Sequence, residues 1–125
     1  MNIKRLENKI FSKKSRYDLN KNQFLELNQN FKNANLFIIG AAGSIGKAFT
    51  LKLNAFKFKK LILLDNNESS LADLSRDINL IFNKKQTKLI DYICADINNF
   101  PLKTFIKGEK ISHYINFAAL KHVRS

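Results

Sequence analysis

The chain has 125 residues, of which 45% are hydrophobic and 26% are charged, a balance that predicts one folded globular domain and excludes a disordered tail. Its single cysteine excludes a disulfide framework within the chain and favours a reducing, cytoplasmic compartment. The net charge of +12 leaves two interpretations. One is binding to a nucleic acid or an anionic membrane, and the other is lysines scattered over solvated faces; the dispersed pattern favours the second, with no nucleic-acid partner.

Residues 1–35 are predicted to form an N-terminal arm with two short helices, because apolar residues recur there at helical spacing. The first set is Ile3, Leu6 and Ile10, and the second is Phe24, Leu27 and Phe31. From residue 36 onward, short apolar runs alternate with amphipathic stretches, which predicts strands buried on both faces alternating with helices. No apolar run approaches the roughly 20 residues that span a bilayer, so we expect no membrane insertion.

Four strands are predicted over residues 36–39, 61–64, 89–94 and 113–117. Helices are predicted between them over 44–54, 69–82 and 98–107, where Pro101 fits only the first turn. Strands joined by helical crossovers predict a parallel sheet with helices on both faces. The expected fold class is therefore α/β, the N-terminal half of a Rossmann-like doubly wound sheet at residues 36–125, preceded by the helical arm. Because the chain stops just past the fourth strand, we expect it to be a fragment of a longer protein.

A glycine-rich segment with the sequence GAAGSIG spans residues 40–46, directly after the first predicted strand and at the start of a helix. This is the context that a dinucleotide-binding fingerprint requires. We expect Gly40 to allow the tight turn, Gly43 to let backbone approach a pyrophosphate, and Gly46 to let helix and strand pack closely. The N–H groups and the positive dipole end of the helix would then face the phosphates. The glycine spacing excludes a P-loop, because that motif has four residues between its glycines and this segment has five between Gly40 and Gly46.

Two acidic residues follow predicted strands. Asp65 lies nineteen residues after Gly46, close to the spacing expected for the carboxylate that binds the adenosine ribose, and its charge favours NAD over NADP. A solvated turn acid is the alternative for Asp65. Asp96 has two interpretations, a contact with the adenine amine or the N-cap of the helix that follows.

The segment after the fourth strand would lie at the carboxyl edge of the sheet, where open parallel sheets bind ligands. The small side chains of Ala118 and Ala119 would let backbone pass close to the cofactor. Lys121 and His122 would either point into the crevice or lie on the surface. Elsewhere, Cys94 is predicted to be a small core residue, and the absence of metal-ligand spacing predicts no metal site.

Taken together, these segments resemble the CapD-like polysaccharide-biosynthesis proteins, which are nucleotide-sugar 4,6-dehydratases and related epimerases of the extended short-chain dehydrogenase/reductase superfamily. The resemblance rests on GAAGSIG at residues 40–46, LILLDNNESSL at 61–71, ADI at 95–97 and AALKHV at 118–123, and it covers residues 16–125. Two residues depart from the family pattern. Phe117 stands where the family usually has Ala, and Arg124 where it often has Pro.

The resemblance implies a redox-neutral reaction on a UDP-N-acetyl-hexosamine in bacterial surface-polysaccharide synthesis, with hydride taken from carbon 4 and returned at carbon 6 by NAD or NADP. It also implies a cytoplasmic enzyme that forms a homo-oligomer when full length. The residues it implies are Gly40, Gly43, Ser44, Ile45 and Gly46 for the pyrophosphate, Asp65 for the ribose, Asp96 and Ile97 for the adenine, and Ala118, Ala119 and Lys121 for the nicotinamide and substrate.

In that superfamily the general base is a Tyr four residues before a Lys, whose charge lowers the pKa of the phenol. Only Tyr17 and Lys21 have this spacing here, and their place on the arm indicates a coincidence. We therefore expect the catalytic pair to lie beyond residue 125 and the chain alone to be inactive, with Lys121 as a substrate-side contact. A non-catalytic dinucleotide-binding regulatory module is the alternative function.

Overall fold

A computed structural model describes residues 21–120 of the chain. The helices are α1 (Lys21–Phe31), α2 (Ser44–Lys52), α3 (Glu68–Ile81), α4 (Lys84–Thr87), α5 (Leu102–Gly108) and α6 (Phe117–Leu120). The strands are β1 (Asn35–Ile39), β2 (Lys60–Asp65), β3 (Ile90–Cys94) and β4 (His113–Asn116). Single 3-10 turns at Leu53–Ala55 and Ile97–Asn99 follow α2 and β3. The first predicted arm helix, with Ile3, Leu6 and Ile10, lies outside the described residues.

All four strands pair in parallel, in the order β3-β2-β1-β4. This confirms the predicted α/β class with a Rossmann-like sheet. From β1 the chain runs outward to β2 and β3, and then returns to the other side of β1 to form β4. The direction of winding therefore reverses between β1 and β4, and the carboxyl ends of all four strands lie at one edge of the sheet. Ligands of open α/β sheets bind at such a reversal point.

The two faces of the sheet carry separate hydrophobic clusters, because successive strand residues point to opposite sides. Leu36 and Ile38 of β1 join residues of α1, α2 and α3 in the larger cluster. Phe37 and Ile39 of the same strand face the smaller cluster, which α5 covers in part. The Phe37 ring lies 4.9 Å from that of Phe105 in α5, measured between ring centroids.

Helix α1 is an integral part of the larger cluster. Leu27 and Phe31 are 0% exposed, which confirms the second predicted arm helix, although the side chain of Phe24 lies outside the described part. The Phe31 ring makes edge contacts with Phe56 at 5.5 Å and with His113 at 5.9 Å. Burial lowers the pKa of His113, so this ring favours the neutral form beside Phe31.

Several predicted boundaries differ from the structure. The first crossover helix ends at Lys52, because the chain tightens into a 3-10 turn there. The predicted helix over 98–107 is divided, since Pro101 precedes α5 and cannot continue a helix from the 3-10 turn before it. The last predicted strand ends at Asn116, and Phe117 begins α6.

Strand β3 was expected to be buried on both faces, and that prediction is wrong. Within the described part of the chain β3 pairs only with β2, so it lies at an edge of the sheet and one side has no neighbouring strand. Asp91, Tyr92 and Cys94 are accordingly exposed. The placement of Cys94 in the core is therefore corrected: it is the last residue of an edge strand and is exposed.

Helix α4 was not predicted, yet the sequence contains its signal. The side chain of Asn83 accepts a hydrogen bond from the Gln86 amide, and the Gln86 side chain accepts one from the Asn83 amide. This reciprocal capping box can be recognised from Asn-x-x-Gln alone. Across residues 21–120, no helix has the length and apolar character needed to cross a bilayer.

Candidate functional site

The glycine-rich turn begins at Gly40, where the backbone takes a positive φ of 75°. The N–H groups of Gly40 and Ala41 both donate to the carbonyl of Leu64, so the turn closes over the end of β2. A Cβ atom at Gly40 would lie 2.6 Å from the backbone nitrogen of Ala118. Glycine is thus required both by the turn, as predicted, and by the close approach of the chain after β4.

The start of α2 packs directly on this turn. A Cβ atom on Gly46 would overlap the carbonyl oxygen of Gly40, which gives Gly46 the packing role expected of it. Gly43 precedes the helix in an extended conformation, and no side chain caps the helix. The first hydrogen bond of the helix runs from the Lys47 amide to the Gly43 carbonyl. The amides of Ser44, Ile45 and Gly46 therefore have no carbonyl acceptor within the helix. The helix start therefore presents backbone donors without a side-chain acceptor.

Asp65 connects the glycine-rich turn to the end of β2. Its side chain is buried, at 8% exposure, which rules out the alternative of a solvated turn acid. One carboxylate oxygen accepts the amide of Ala42 at 2.9 Å, and the other accepts the amide of Asn67 at 3.0 Å. Each oxygen of a carboxylate has two acceptor positions, so Asp65 retains the capacity to accept from a ligand as well.

Asp96 begins the 3-10 turn after β3. Its carboxylate accepts the amide of Asn98 at 2.9 Å, so the predicted capping role is confirmed, with a 3-10 turn in place of the expected helix. The residue is exposed and also borders the cleft described below. The adenine contact stays a prediction.

A cleft of about 360 Å³ opens at the carboxyl edge of the sheet and takes residues from the ends of all four strands. It brings together five of the predicted residues, Gly40, Asp65, Asp96, Ile97 and Ala118. The remaining lining residues are Ile39, Leu64, Asn66, Ala95, Asn98 and Asn116.

Other predicted site residues are not part of this lining. Gly43, Ser44 and Ile45 lie at the start of α2, beside the turn, and Gly46 is buried against Gly40. The side chain of Ala119, and the whole of Lys121 and His122, lie outside the described residues.

Sequence reasoning did not single out Asn66 or Asn98, whose side chains are exposed at the cleft. Asn66 directly follows Asp65, and Asn98 is two residues after Asp96. A signal was present, because residues one to three positions past the end of a parallel strand lie at its ligand-binding edge. The side-chain amides of Asn66 and Asn98 add hydrogen-bond donors and acceptors beside the carboxylates of Asp65 and Asp96.

A family described as polysaccharide biosynthesis protein matches residues 36–125, which is more than half of the chain. The chain belongs to this polysaccharide biosynthesis protein family. The matched range starts in β1 and includes the glycine-rich turn, Asp65 and β4, whereas α1 precedes it. No curated protein matches the chain. Membership gives the protein a role in polysaccharide biosynthesis.

The cleft of this polysaccharide biosynthesis protein differs in charge from the chain as a whole. The chain carries +12, yet the charged residues among the described lining are Asp65 and Asp96, both acidic. Among the described residues, backbone amides and the α2 dipole, and no lysine side chain of the lining, would be available to phosphate groups at this edge. The site is suited to a neutral or hydroxyl-bearing group beside the carboxylates.

The tyrosine and histidine side chains in the described part of this family member lie outside the cleft. Tyr92 is 37% exposed, and the partial burial of its ring raises the pKa of the phenol, which is the opposite of what a tyrosine base requires. His113 is the first residue of β4, at the amino edge of the sheet and away from the cleft. Within residues 21–120, no group of three or more His, Cys, Asp or Glu side chains is placed to hold a metal ion. Tyr17 of the Tyr17–Lys21 pair lies outside the described part.

Proposed function

We propose that the chain is the NAD(P)-binding part of a nucleotide-sugar 4,6-dehydratase or epimerase of the short-chain dehydrogenase/reductase superfamily. Its substrate would be a UDP-N-acetyl-hexosamine, its compartment the cytoplasm, and the full-length protein a homo-oligomer. One observation carries the proposal. The glycine-rich turn, the carboxylate of Asp65 and the cleft meet at the carboxyl edge of the sheet, where its winding reverses.

The residues present fit a dinucleotide. The close contact of Gly46 with Gly40 holds the first turn of α2 against the glycine-rich turn, beside the cleft, where its amides could face a diphosphate. The amides of Ser44, Ile45 and Gly46 at the start of α2 would bind it, assisted by the positive end of the helix dipole. Gly43 would let the backbone come close to the same group.

The remaining lining supports the two ends of the same ligand. Asp65 would accept hydrogen bonds from the ribose hydroxyls while it holds the Ala42 amide. Asp96 and Ile97, after β3, would border the adenine, with Asn66 and Asn98 beside them. Ala118, Ala119 and Lys121, after β4, would lie near the nicotinamide and the sugar. When bound, the nicotinamide takes up and returns a hydride, so the overall reaction is redox-neutral.

The charge of the cleft favours NAD over NADP. A 2′-phosphate next to Asp65 would place like charges within a few ångströms at a site of low exposure. No Lys or Arg is among the described lining residues to compensate it. NADP should therefore bind more weakly than NAD.

A regulatory dinucleotide-binding module is the second candidate. It is favoured by the lining itself, because none of the described residues that border the cleft is Tyr, Lys or His. A protein that binds NAD and responds in conformation, with no conversion of a UDP-sugar by the full-length protein, would support the module. Formation of a 4-keto-6-deoxy sugar would support the dehydratase.

Calorimetric titration of the chain with NAD and with NADP tests the binding step. Replacing Asp65→Asn removes the charge and keeps one acceptor, so NAD affinity should fall roughly tenfold or more while NADP affinity falls less. The matched control is Asp73→Asn, an exposed acid on α3, which should leave both affinities unchanged.

Because Asp65 also supports the turn, thermal unfolding of each variant is measured without ligand. If the substitution only loosened the turn, the affinities for NAD and NADP would fall by the same factor. If it removes a charge that disfavours the 2′-phosphate, the affinity for NAD falls more than that for NADP, and the preference for NAD becomes smaller. A folded wild-type chain that takes up neither dinucleotide would contradict the proposal.

A further inference from the structure

Basic and apolar side chains lie together near the amino edge of the sheet, opposite the cleft. We call this surface the basal patch. It consists of Lys57, Lys59, Lys84, Lys85 and Lys88 with Leu80, Ile81 and Leu89, all of them exposed. They come from two segments that lead into the amino ends of β2 and β3. Six of the eight residues lie within residues 80–89, and folding brings Lys57 and Lys59 from the other segment beside them.

Hydrogen bonds hold the two segments against each other. The side-chain amide of Gln86 donates to the carbonyls of Asn54 at 2.9 Å and Phe56 at 3.2 Å. Gln86 is itself fixed by its capping box with Asn83. The buried rings of Phe56 and Phe82 anchor the same two segments in the core. The backbone that carries the five lysines is therefore ordered on both sides.

The charge of the basal patch is not compensated within residues 21–120. Ion pairs between described residues join Lys47 to Asp77, Lys60 to Asp91 and Glu109, and Arg76 to Asp73. Two acids near the amino edge, Asp91 and Glu109, each have a carboxylate oxygen 3.3 Å from the Lys60 ammonium. The five lysines of the patch take part in none of these pairs, so five positive charges face solvent.

The apolar members of the patch distinguish between the anionic surfaces that could meet these charges. Leu80 is 85% exposed although α3 buries Leu71, Leu74 and Ile78, and Ile81 and Leu89 are exposed close by in the chain. Aliphatic side chains among lysines suit a lipid interface, where the chains enter the boundary with the acyl region. Proteins that bind single-stranded nucleic acid contact its phosphates with basic residues and stack aromatic side chains on its bases. The basal patch contains no aromatic residue, which favours a lipid surface over a nucleic acid.

We propose that the basal patch docks on a membrane surface that contains anionic lipids. The lysines contact the head groups and Leu80 enters the interface. Because the patch and the cleft lie at opposite edges of the sheet, the docked protein keeps its cleft open to the solution. Docking needs no ligand in the cleft, so it stands apart from dinucleotide binding.

Co-sedimentation of the whole chain with lipid vesicles tests this proposal. The chain should sediment with vesicles of phosphatidylglycerol and phosphatidylcholine, should stay in solution with phosphatidylcholine alone, and should be released by salt. The variant Lys84→Gln/Lys85→Gln should lower partitioning roughly fivefold for each lysine. Its matched control, Lys21→Gln/Lys103→Gln, makes the same change in net charge outside the patch and should have little effect.

The apolar contribution has its own pair of variants. Leu80→Ser should lower partitioning about threefold to tenfold, whereas Leu25→Ser, which changes a 53% exposed leucine on α1, should not. All six substitutions in these four variants are at exposed positions, so circular dichroism should show folded chains throughout.

Three results would overturn the proposal. The first is an absence of binding to the anionic vesicles at low salt. The second is an equal loss from both lysine variants, which would mean that net charge acts without a localised patch. The third is binding of duplex DNA that competes with vesicles and is unaffected by Leu80→Ser, which would identify a nucleic-acid surface instead.

Discussion

At Gly46, the missing side chain determines how close α2 comes to the glycine-rich turn. The amides proposed to bind a diphosphate occupy the first turn of that helix, so their position depends on this contact. A methyl group there has no free space, since the atom it would meet is backbone rather than a flexible side chain. The packing role of Gly46 was predictable from the motif alone.

Replacing Gly46→Ala should destabilise the chain by roughly 1–3 kcal/mol, because the helix must move away from the turn. Urea unfolding gives the free energy. The control is Gly108→Ala, where nothing lies within 4 Å of the added Cβ, and there we expect no loss, or a gain of up to about 1 kcal/mol from helix propensity. Equal stability of the two variants would show that α2 is free to shift.

The sequence predicted that Asp65 binds a ligand but did not reveal its hydrogen-bond partner inside the protein, the Ala42 amide. The amide of Ala42 is twenty-three positions away along the chain, and only the pairing of β1 with β2 brings it to 2.9 Å. A local motif specifies residue types and spacings. It does not specify which backbone group from another strand end will meet the carboxylate.

Among the elements, α1 is the one whose importance the family match does not show. It precedes the matched residues, and yet Leu27 and Phe31 are fully buried against the sheet. Its apolar spacing predicted a helix correctly. Burial against Phe56 and His113 could not be predicted from that spacing, because the partners come from two distant segments.

Truncation of Phe31→Ala should therefore cost about 3–5 kcal/mol of unfolding free energy, as expected for a buried aromatic ring. Leu25→Ala, on the exposed side of the same helix, should change it by less than about 0.5 kcal/mol. Denaturant unfolding followed by circular dichroism makes the comparison. If the two variants unfolded alike, α1 would be an arm that contributes nothing to the core.

At the scale of the whole molecule, the sheet has two open edges within residues 21–120. There β4 pairs only with β1, and β3 pairs only with β2. Unpaired backbone groups along an edge strand are a template for pairing with another chain. Tyr114, on the outer strand β4, is exposed beside this edge.

We expect the chain to self-associate through β4 as its concentration rises. Light scattering across a concentration series should show growing mass, and Tyr114→Lys should reduce it because edge lysines oppose strand pairing. The control Tyr92→Lys places the same charge on β3, the other edge strand, and should leave the association unchanged. A monomer that persists at high concentration would mean that the β4 edge is protected.

The two ends of the strands also differ in charge. Asp65 and Asp96 border the cleft at the carboxyl edge, and the five lysines of the basal patch lie near the amino edge. Along the chain these lysines are part of a basic excess that is dispersed over many segments, which is why the sequence favoured solvated faces without a partner. The folded molecule thus separates the edge that carries the cleft and its two acids from a basic edge.

The alternation of strands and helices, the glycine-rich turn and the acid after β2 were determined by the sequence alone, because periodicity and short spacings act over a few neighbouring residues. Only the tertiary structure decided four other features: the position of Asp65 between the turn and the cleft, the burial of α1, the exposure of β3, and the clustering of the lysines. Each depends on contacts between distant segments, such as the bond from Gln86 to Asn54, thirty-two positions away. Such contacts arise from the packing of helices on the sheet, which no local pattern contains.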